Sequence, residues 1–468
     1  MNKTPLKHNT MRPTFSRPMS PHVQRFVTGL SLGLILAICL ACSQRVLLSA
    51  DPATPETGAT AEVSPDSARE GGSALDGVAD NGVADSAAWA DDATPTEAPV
   101  LLAEAQAIIA SAGPEGLYNP PRKDVRLVVI SDLNSAYGST DYDPEVDKAI
   151  ALMPFWQPDA VVCSGDMVAG QKQTLTVDQV NAMWQAFDDH VANPLREMGI
   201  PYGFTLGNHD ASSARGQNNQ FIFQQERDLA SAYWNAPAHD PGVNFIDRTD
   251  FPFFYTFEQN GVFFMAWDGS SSQIPADKLA WVESALSSEA AQSARARMVL
   301  SHLPLYGVAQ RRDQPGEVLA NAPKLQEILE RHNVHTLISG HQHAYYPAHR
   351  GNLQLLHAGL LGSGPRALID GTAPPWKALT VIDIDFADPA LTTYTTYDIT
   401  TLQTVDDTIL PRFLVSHNGL ILRRDVQYSD LTPADKTACQ QSLSADQCMA
   451  VRPTRIHATW PRRPTYAA

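Results

Sequence analysis

From about residue 122 onward, short apolar runs alternate with longer segments that mix apolar and polar residues. Each short run ends in a cluster of polar residues. The first two runs are almost entirely apolar, which is typical of strands covered on both faces of a sheet. The runs that predict strands in this part of the chain are 125–131, 160–164, 202–206, 262–267, 298–301 and 336–339.

The segments between these runs have the apolar period of amphipathic helices. Asp143 followed by Pro144 predicts an N-cap and the first helical position, after which Val146, Ala149 and Ile150 form one apolar face. Similar patterns predict helices at 176–198, 277–285 and 323–332, and residues 101–112 have a helical composition. Alternating strands and helices indicate an α/β layered sheet.

Three later runs, at 353–357, 379–385 and 391–397, follow one another without long helices between them. They predict a second, more antiparallel part of one domain, which we place at 122–400. Beyond this point the pattern is less clear, and we interpret residues 401–468 as a C-terminal extension packed on the same domain.

The N-terminus has the pattern of a targeting segment. The first 25 residues carry five basic and no acidic side chains, and the uncharged apolar stretch 27–41 follows them. This stretch is shorter than the roughly 20 residues that span a bilayer, so the pattern predicts a signal sequence at 1–41. Cys42 follows a small residue, as at a bacterial lipoprotein processing site, although Cys39 stands where an aliphatic residue is usual. We therefore expect an exported protein, periplasmic or attached to the cell envelope, with a lipid at Cys42; cleavage near Ala41 or Ala50, or an uncleaved tether, is the alternative.

Residues 42–121 are interpreted as an acidic, Ala- and Pro-rich tether. Between residues 50 and 104, twelve acidic side chains accompany the single basic Arg69, and no apolar period is present. Such a composition predicts a disordered, self-repelling segment.

Composition excludes some functions for the chain as a whole. It has 468 residues, 43% hydrophobic content and a formal net charge of −17. No nucleic-acid-binding surface is expected on so acidic a protein, and an anionic substrate would need metal ions beside it. Five cysteines are too few for a disulfide framework. Cys163 lies in an apolar run and is interpreted as a buried thiol, whereas Cys439 and Cys448 could either pair or remain two surface thiols.

Polar clusters follow five of the predicted strands, and they hold the candidate chemistry. In an α/β sheet, ligands gather beyond the carboxyl ends of the strands, so clusters from distant parts of the chain can meet. Carboxylates, amide oxygens and imidazoles suit divalent metal ions, and neighbouring glycines permit tight turns. The candidate residues are Asp132 and Asn134, then Asp166, then Asn208, His209 and Asp210, then His302, and finally His341 and His343.

The ordered blocks Asp-x-Asn, Gly-Asp, Gly-Asn-His-Asp, Ser-His and Gly-His-x-His resemble those of the calcineurin-like metallophosphoesterase superfamily over about residues 126–385. The resemblance implies a four-layer α/β/β/α fold, a β-sandwich flanked by helices. It also implies a phosphoric ester hydrolase with two divalent ions, of manganese, iron or zinc. In the family pattern, Asp132, Asn134 and His343 bind the first ion, Asp166 bridges both, and Asn208, His302 and His341 complete the second.

The same resemblance implies a mechanism in which a metal-bridging hydroxide attacks phosphorus in line. His209 would bind no metal, but would stabilise charge or protonate the leaving oxygen. Asp210 is expected to orient His209, with a solvated loop carboxylate as the alternative. Asn134 stands where most simpler members have histidine. It would therefore bind metal weakly and favour manganese or iron over zinc, or be a group outside the coordination sphere.

Two classes of function follow. The first is a hydrolase of small phosphomonoesters or phosphodiesters, associated with a membrane only through its N-terminal lipid or signal segment. The second is a metal-stabilised binding or envelope protein that lost turnover because Asn134 weakens the first metal site. A pure binding module has no need of His209, which favours the enzyme. The sequence patterns specify neither the leaving group nor the oligomeric state.

Overall fold

The computed structural model describes residues 101–449. The predicted signal sequence with Cys42, the predicted tether up to residue 100 and the chain from residue 450 lie outside this range. None of the helices in the described range is long and apolar enough to cross a membrane.

The strands of the described range form two mixed sheets. In chain order they are β1 (Val125–Ile130), β2 (Ala160–Cys163), β3 (Tyr202–Phe204), β4 (Asn244–Asp250), β5 (Phe254–Gln259), β6 (Val262–Ala266), β7 (Ala296–Leu300), β8 (Thr336–Ser339), β9 (Tyr345–Arg350), β10 (Leu353–Ala358), β11 (Ala378–Ile384), β12 (Thr393–Asp398), β13 (Gln403–Thr404), β14 (Phe413–Ser416) and β15 (Gly419–Arg423).

Helices lie between many of these strands. They are α1 (Ala103–Ser111), α2 (Pro144–Ala151), α3 (Met153–Trp156), α4 (Val177–Phe187), α5 (Asn193–Glu197), α6 (Asn208–Ala211), α7 (Gln224–Asn235), α8 (Ala276–Ser287), α9 (Glu289–Ser293), α10 (Ala322–Arg331), α11 (Pro433–Ser442) and α12 (Ala445–Met449). A π-helical turn spans Asp188–Ala192, and short 3-10 turns span Pro237–His239, Pro389–Leu391, Asp407–Ile409 and Tyr428–Asp430.

The predicted fold class, a layered β-sandwich flanked by helices, is confirmed. One sheet has the strand order β13-β12-β11-β1-β2-β3, and the other has the order β14-β15-β9-β10-β8-β7-β6-β5-β4. Hydrogen bonds join the two sheets at several points: the Phe204 N–H donates to the Tyr255 hydroxyl at 3.0 Å, and the Thr205 hydroxyl donates to the Trp267 carbonyl at 2.7 Å. Apolar residues of both sheets belong to one continuous core.

Each of the later strands is antiparallel to at least one neighbour, as predicted, but they are divided between the two sheets and do not form a second part. β11 and β12 complete the first sheet, with β11 antiparallel to β1, while β10 lies in the second sheet. The β1–β11 register places Arg126 opposite Asp383, and the Arg126 Nε donates to Asp383 Oδ1 at 2.9 Å. Both side chains are buried, so each charge is compensated inside the sheet.

The predicted helix at 176–198 is divided. Thr176 caps α4 through a reciprocal pair of bonds with Gln179, but the π-helical turn separates α4 from α5. Pro194 explains the change, since proline has no N–H and its ring crowds the carbonyl four residues earlier. The helix after Asp143 begins at Pro144 as predicted, yet the Asp143 carboxylate accepts from Ser363 and Lys377 and does not cap the helix.

Two segments near the ends of the described range pack on the core. Helix α1 lies inside the predicted tether, and its Ile108 and Ile109 pack against the core, so the tether prediction is wrong for this segment. At the other end, β15 pairs with β9, and the following helices pack on it around a disulfide between Cys439 and Cys448. Cys163 is the buried free thiol that was predicted.

Candidate metal centre

The ends of five strands from both sheets bring the candidate residues together. Asp132, Asp166 and Asn208 follow β1, β2 and β3, which run parallel in the first sheet. His302 and His341 follow β7 and β8, which run parallel in the second sheet. The site therefore lies where the carboxyl ends of both sheets meet, as expected for an α/β fold.

The backbone at this edge adopts a conformation that non-glycine residues rarely take. The φ angles of Asp132, Asp166, His341 and His343 are 48°, 55°, 64° and 53°. Left-handed residues of this kind cost free energy and concentrate at functional sites. Four candidate ligands share this feature, so the turns place these side chains at the expense of local backbone strain.

Two glycines allow the loops to approach one another closely. A Cβ at Gly207 would lie 2.1 Å from Asp166 Oδ1, and a Cβ at Gly340 would lie 2.4 Å from Asp132 Oδ2. Side chains at these positions would displace the two carboxylates. The glycines of the sequence blocks therefore set the distance between the ligand-bearing loops.

Asp132 is fully buried and accepts hydrogen bonds from its neighbour Ser131 and from the loop that carries His341. The His341 N–H donates to both of its carboxylate oxygens at 3.1 Å, and Ser131 Oγ donates at 2.5 Å. His343 Nε2 lies 3.3 Å from Asp132 Oδ1, while the other ring nitrogen lies 3.1 Å from the Gly364 carbonyl. The Asp132 carboxylate oxygen and the His343 imidazole nitrogen are thus close enough to bind the same metal ion.

Asp166 forms the centre of a second group. His302 Nε2 lies 3.3 Å from Asp166 Oδ1 and 2.8 Å from Asn208 Oδ1. His341 Nδ1 also lies 2.8 Å from Asn208 Oδ1. Asp132, Asp166 and His302 each offer a ligand atom, and these three atoms lie within 4.8 Å of one another.

The charges in this group suit a cation. Burial alone would raise the pKa of Asp166, but the His302 and His209 imidazoles outweigh it and hold the pKa below its ordinary value. Burial alone would lower the pKa of His302, but Asp166 and Asp132 raise it to about 9. Burial lowers the pKa of His341 to about 4. A divalent ion among these ligands would replace the proton on His302, so the residues fit the metal centre that was predicted.

Asn134 is buried beside this group. Its Nδ2 donates to the Val168 carbonyl at 3.0 Å, which assigns the amide orientation. The amide nitrogen is engaged, so Oδ1 is the atom left for a metal ion. This orientation is the one that the predicted ligand role requires.

His209 lies at the border of the group. Its Nδ1 is 3.2 Å from the Gly170 carbonyl and its Nε2 is 3.9 Å from Asp166 Oδ2. The Tyr137 ring packs against the imidazole at a centroid distance of 4.9 Å. With Nδ1 donating to the carbonyl, Nε2 is the nitrogen available to a substrate.

Asp210 does not have the predicted catalytic role of orienting His209, nor is it a solvated carboxylate. It is buried, and its oxygens accept from the backbone N–H groups of Met167, Val168 and Gly207 at 2.7 to 2.9 Å. Burial, and then the charge of Asp166, raise the pKa of Asp210 to about 7. Its three bonds fasten the loop after β2 to the loop after β3. Asp210 therefore positions the backbone of two ligand loops.

A pocket of about 420 Å³ opens beside these residues. Asn208 and His341 are among the residues that line it, and Arg312 is the only arginine or lysine among the described residues that line it. A larger groove of about 1140 Å³ adjoins it and shares Ala214, Ser271 and Ser272 with it. The pocket can therefore hold a small anionic group beside the ligands, with space next to it for the rest of a molecule.

The sequence patterns missed Glu317, which lines this pocket, and Gln342, which is buried next to the ligand His341. Glu317 Oε2 lies 2.8 Å from His341 Nε2 and accepts from Arg312 Nη1 at 2.6 Å. Gln342, between the two histidine ligands, makes four hydrogen bonds to the chain around Arg312. Glu317 lies in a loop without a readable pattern. Gln342 could have been found, because its position between His341 and His343 places it next to two predicted ligands.

Comparison with known proteins agrees with this site. Residues 125–345 match the calcineurin-like phosphoesterase family, and this part of the chain is a calcineurin-like phosphoesterase domain. This segment therefore has the family signature of a metallophosphoesterase. Comparison with curated proteins finds no match.

Several solved structures have a similar fold. They include a purple acid phosphatase from yellow lupin (Lupinus luteus) seeds, with 15% identity, a TM-score of 0.45 and coverage of 62% of this chain and 54% of that chain. The anchor in the inner membrane complex of Plasmodium has 12% identity, a TM-score of 0.40 and coverage of 74% and 98%. A dimetal phosphatase from Danio rerio has 13% identity, a TM-score of 0.36 and coverage of 58% and 95%. The alignment thus spans about half of the lupin protein.

Proposed function

We propose that this chain is a metal-dependent hydrolase of small phosphoric esters, either monoesters or diesters. The observation that carries the proposal is the convergence of buried carboxylate, amide and imidazole groups at one edge of both sheets, beside a pocket that contains Arg312. A folded core needs none of these strained ligand positions for its stability. The presence of these strained positions is expected of a working metal site.

The chain offers ligands for two divalent ions. Asp132, His343 and the Asn134 oxygen would hold one, Asn208, His302 and His341 would hold the other, and Asp166 would be shared. When bound, such ions neutralise the charge of phosphoryl oxygens and lower the pKa of a water molecule, which can then attack phosphorus in line. Manganese, iron and zinc are each compatible with this mixed set of oxygen and nitrogen ligands.

The residues on the substrate side have separate roles. His209 Nδ1 is engaged by the Gly170 carbonyl, which leaves Nε2 for the substrate. As the imidazolium, His209 can give its Nε2 proton to the leaving oxygen or stabilise the charge there. Arg312 lies on the pocket wall and can contact a phosphoryl oxygen through a charge-assisted hydrogen bond. Together they would orient the ester with its leaving group toward the groove.

The test is a panel of phosphate esters with metal-free protein reloaded with one metal at a time. Asp166→Ala should lose activity and most bound metal, because it removes the shared carboxylate. Asp178→Ala, which removes an exposed carboxylate of α4, is the control and should leave both unchanged. Normal metal content of Asp166→Ala by elemental analysis would contradict the two-metal proposal. Metal binding by the wild-type protein without turnover of any ester would favour the binding-protein alternative.

We further propose that the protein is exported and attached to the cell envelope through a lipid on Cys42. The basic segment and the apolar stretch 27–41 support this proposal. The substrate would then be an extracytoplasmic organic phosphate or nucleotide. The intact mass of membrane-extracted protein tests it: a chain that begins with unmodified Met1 would contradict both export and lipidation.

A further inference from the structure

The loop 307–319 brings both Arg312 and Glu317 to the pocket. It follows the His302 block and has no strand or helix of its own beyond turns and one isolated bridge. Arg312 Nη1 donates to Glu317 Oε2 and also lies 3.2 Å from His341 Nε2. The placement of the guanidinium group therefore depends on how this loop is held.

Gln342 holds the loop from the side of the metal centre. Its Oε1 accepts from the N–H groups of Val308 and Ala309 at 3.0 Å. Its Nε2 donates to the carbonyls of Arg312 and Glu317 at 3.1 and 3.0 Å. Gln342 is buried, so these bonds fix the loop where it touches the last ligand block.

The turn between β14 and β15 holds the loop from the opposite side. The His417 N–H donates to both oxygens of Asp313, at 2.8 and 3.0 Å, and His417 Nδ1 lies 2.7 Å from Asp313 Oδ1. Asn418 Nδ2 donates to the Leu305 carbonyl at 2.8 Å. Asp313 thus has three contacts with one residue that lies 104 positions later in the chain.

Close packing leaves this junction little freedom. A Cβ at Gly307 would lie 2.7 Å from Asp313 Oδ1, and a Cβ at Gly419 would lie 2.7 Å from Tyr306 Cε1. The β14–β15 hairpin itself is anchored, because β15 pairs with β9 in the larger sheet. It begins at Phe413, well beyond the segment 125–345 that matches the family.

We propose that the Asp313–His417 junction is a positioning device through which the C-terminal hairpin holds Arg312 in the pocket for the substrate phosphate. This inference rests on the proposed function, because it takes the ligand of Arg312 to be a phosphoryl group. Neither Asp313 nor His417 lines the pocket, and neither is a candidate metal ligand. They act by holding the loop, and Arg312, the residue next to Asp313, makes the contact with the phosphate.

The experiment uses the full-length, metal-loaded protein and inorganic phosphate as the probe. Arg312→Met should raise the phosphate dissociation constant and the KM for a monoester about 10- to 100-fold, the usual value of a charged hydrogen bond. Asp313→Ala should raise both about 3- to 30-fold with unchanged metal content. Asp313→Asn keeps one acceptor oxygen for the His417 N–H and should fall between Asp313→Ala and the wild type.

The matched control is Asp147→Ala, which breaks another Asp–His pair, to His190 at 2.6 Å. It should change phosphate binding less than twofold. The double variant of Arg312→Met with Asp313→Ala should bind phosphate no more weakly than Arg312→Met alone, since Asp313 acts through Arg312. Trypsin should also cut after the exposed Arg311 faster in Asp313→Ala than in the wild type.

Three results would overturn the inference: wild-type phosphate affinity in Asp313→Ala, multiplied effects in the double variant, or loss of metal from Asp313→Ala. These results are separable from failure of the proposed function. A wild-type protein that binds phosphate but hydrolyses no ester would refute the hydrolase, while phosphate binding and trypsin cleavage would still test the junction.

Discussion

Gly340→Ala should disturb the metal centre without changing any ligand. A Cβ at this position would lie 2.2 Å from Ser131 Oγ and 2.4 Å from Asp132 Oδ2, and real Cβ atoms essentially never approach closer than 3.0 Å. Both neighbours are fully buried and are bonded to each other, so they cannot turn away freely. We expect Asp132 to shift, at an overpacking cost of about 1–3 kcal/mol.

In a domain of this size, each kcal/mol of lost stability lowers the melting temperature by a few degrees. The substitution should therefore lower the melting temperature by about 3–10 °C. Metal affinity should fall at least about tenfold, since a misplaced ligand loses one coordination bond. The assay is thermal unfolding with and without added metal, together with metal counts per chain.

Gly216→Ala is the control, because a Cβ there would come no closer than 3.4 Å to any neighbour. It should change stability by less than about 0.5 kcal/mol. Wild-type metal affinity in Gly340→Ala would show that the close approach of the two loops does not set the position of Asp132.

Three further predictions follow from individual side chains. His209→Ala should retain metal and lose about 10²–10⁴-fold in kcat; loss of metal in this variant would identify His209 as a ligand. Asn134→His should tighten the weaker metal site and shift preference toward zinc, and identical metal titrations of activity for the two proteins would show that Asn134 is not a ligand. Burial raises the pKa of Asp407 to about 6 although the Tyr345 hydroxyl donates to it at 3.0 Å. A carboxyl with a raised folded-state pKa contributes stability below its unfolded pKa and loses it as pH rises through 6. Asp407→Asn should therefore stabilise the protein by about 1–2 kcal/mol at pH 8 and by little at pH 4, after allowance for partial exposure, and equal effects in urea melts at the two pH values would contradict this.

The interior strands of the fold could be predicted because most of their residues on both faces are apolar. β1, β2, β7 and β8 are buried along their full length, and each corresponds to a predicted run. β4 could not be predicted, since its sequence Asn-Phe-Ile-Asp-Arg-Thr-Asp is mostly exposed at the edge of a sheet. Its identity as a strand depends on pairing with β5, which no local pattern encodes.

β9 shows a second reason for failure. It contains Pro347, His349 and Arg350, yet all of its residues are buried. His349 and Arg350 hydrogen-bond to carbonyls of the C-terminal segment more than 60 residues later, at Val426 and Leu420. Polar residues are accepted in this strand because distant backbone groups satisfy them, and such partners are not visible in a local sequence.

Some residues of the candidate site could likewise be predicted from the sequence, and others could not. Residues that directly follow predicted strands were placed correctly at the edge of the sheets, because topology alone brings those ends together. The predicted role of Asp210 was wrong because its side chain instead reaches three backbone N–H groups, two on the loop after β2 and one on its own loop after β3. Glu317 and His417 were missed because their partners come from loops whose course only the folded chain determines.

The position of β11 also determines the minimal folding unit. β11 lies beside β1, yet it begins at Ala378, after the end of the segment 125–345. A fragment cut at residue 345 would leave one edge of β1 without a partner and would leave the buried guanidinium of Arg126 without Asp383. Asp132 lies in the loop directly after β1, so such a fragment would weaken the strand that positions the first candidate ligand. The first sheet of this protein therefore includes strands that lie beyond the segment that matches the family.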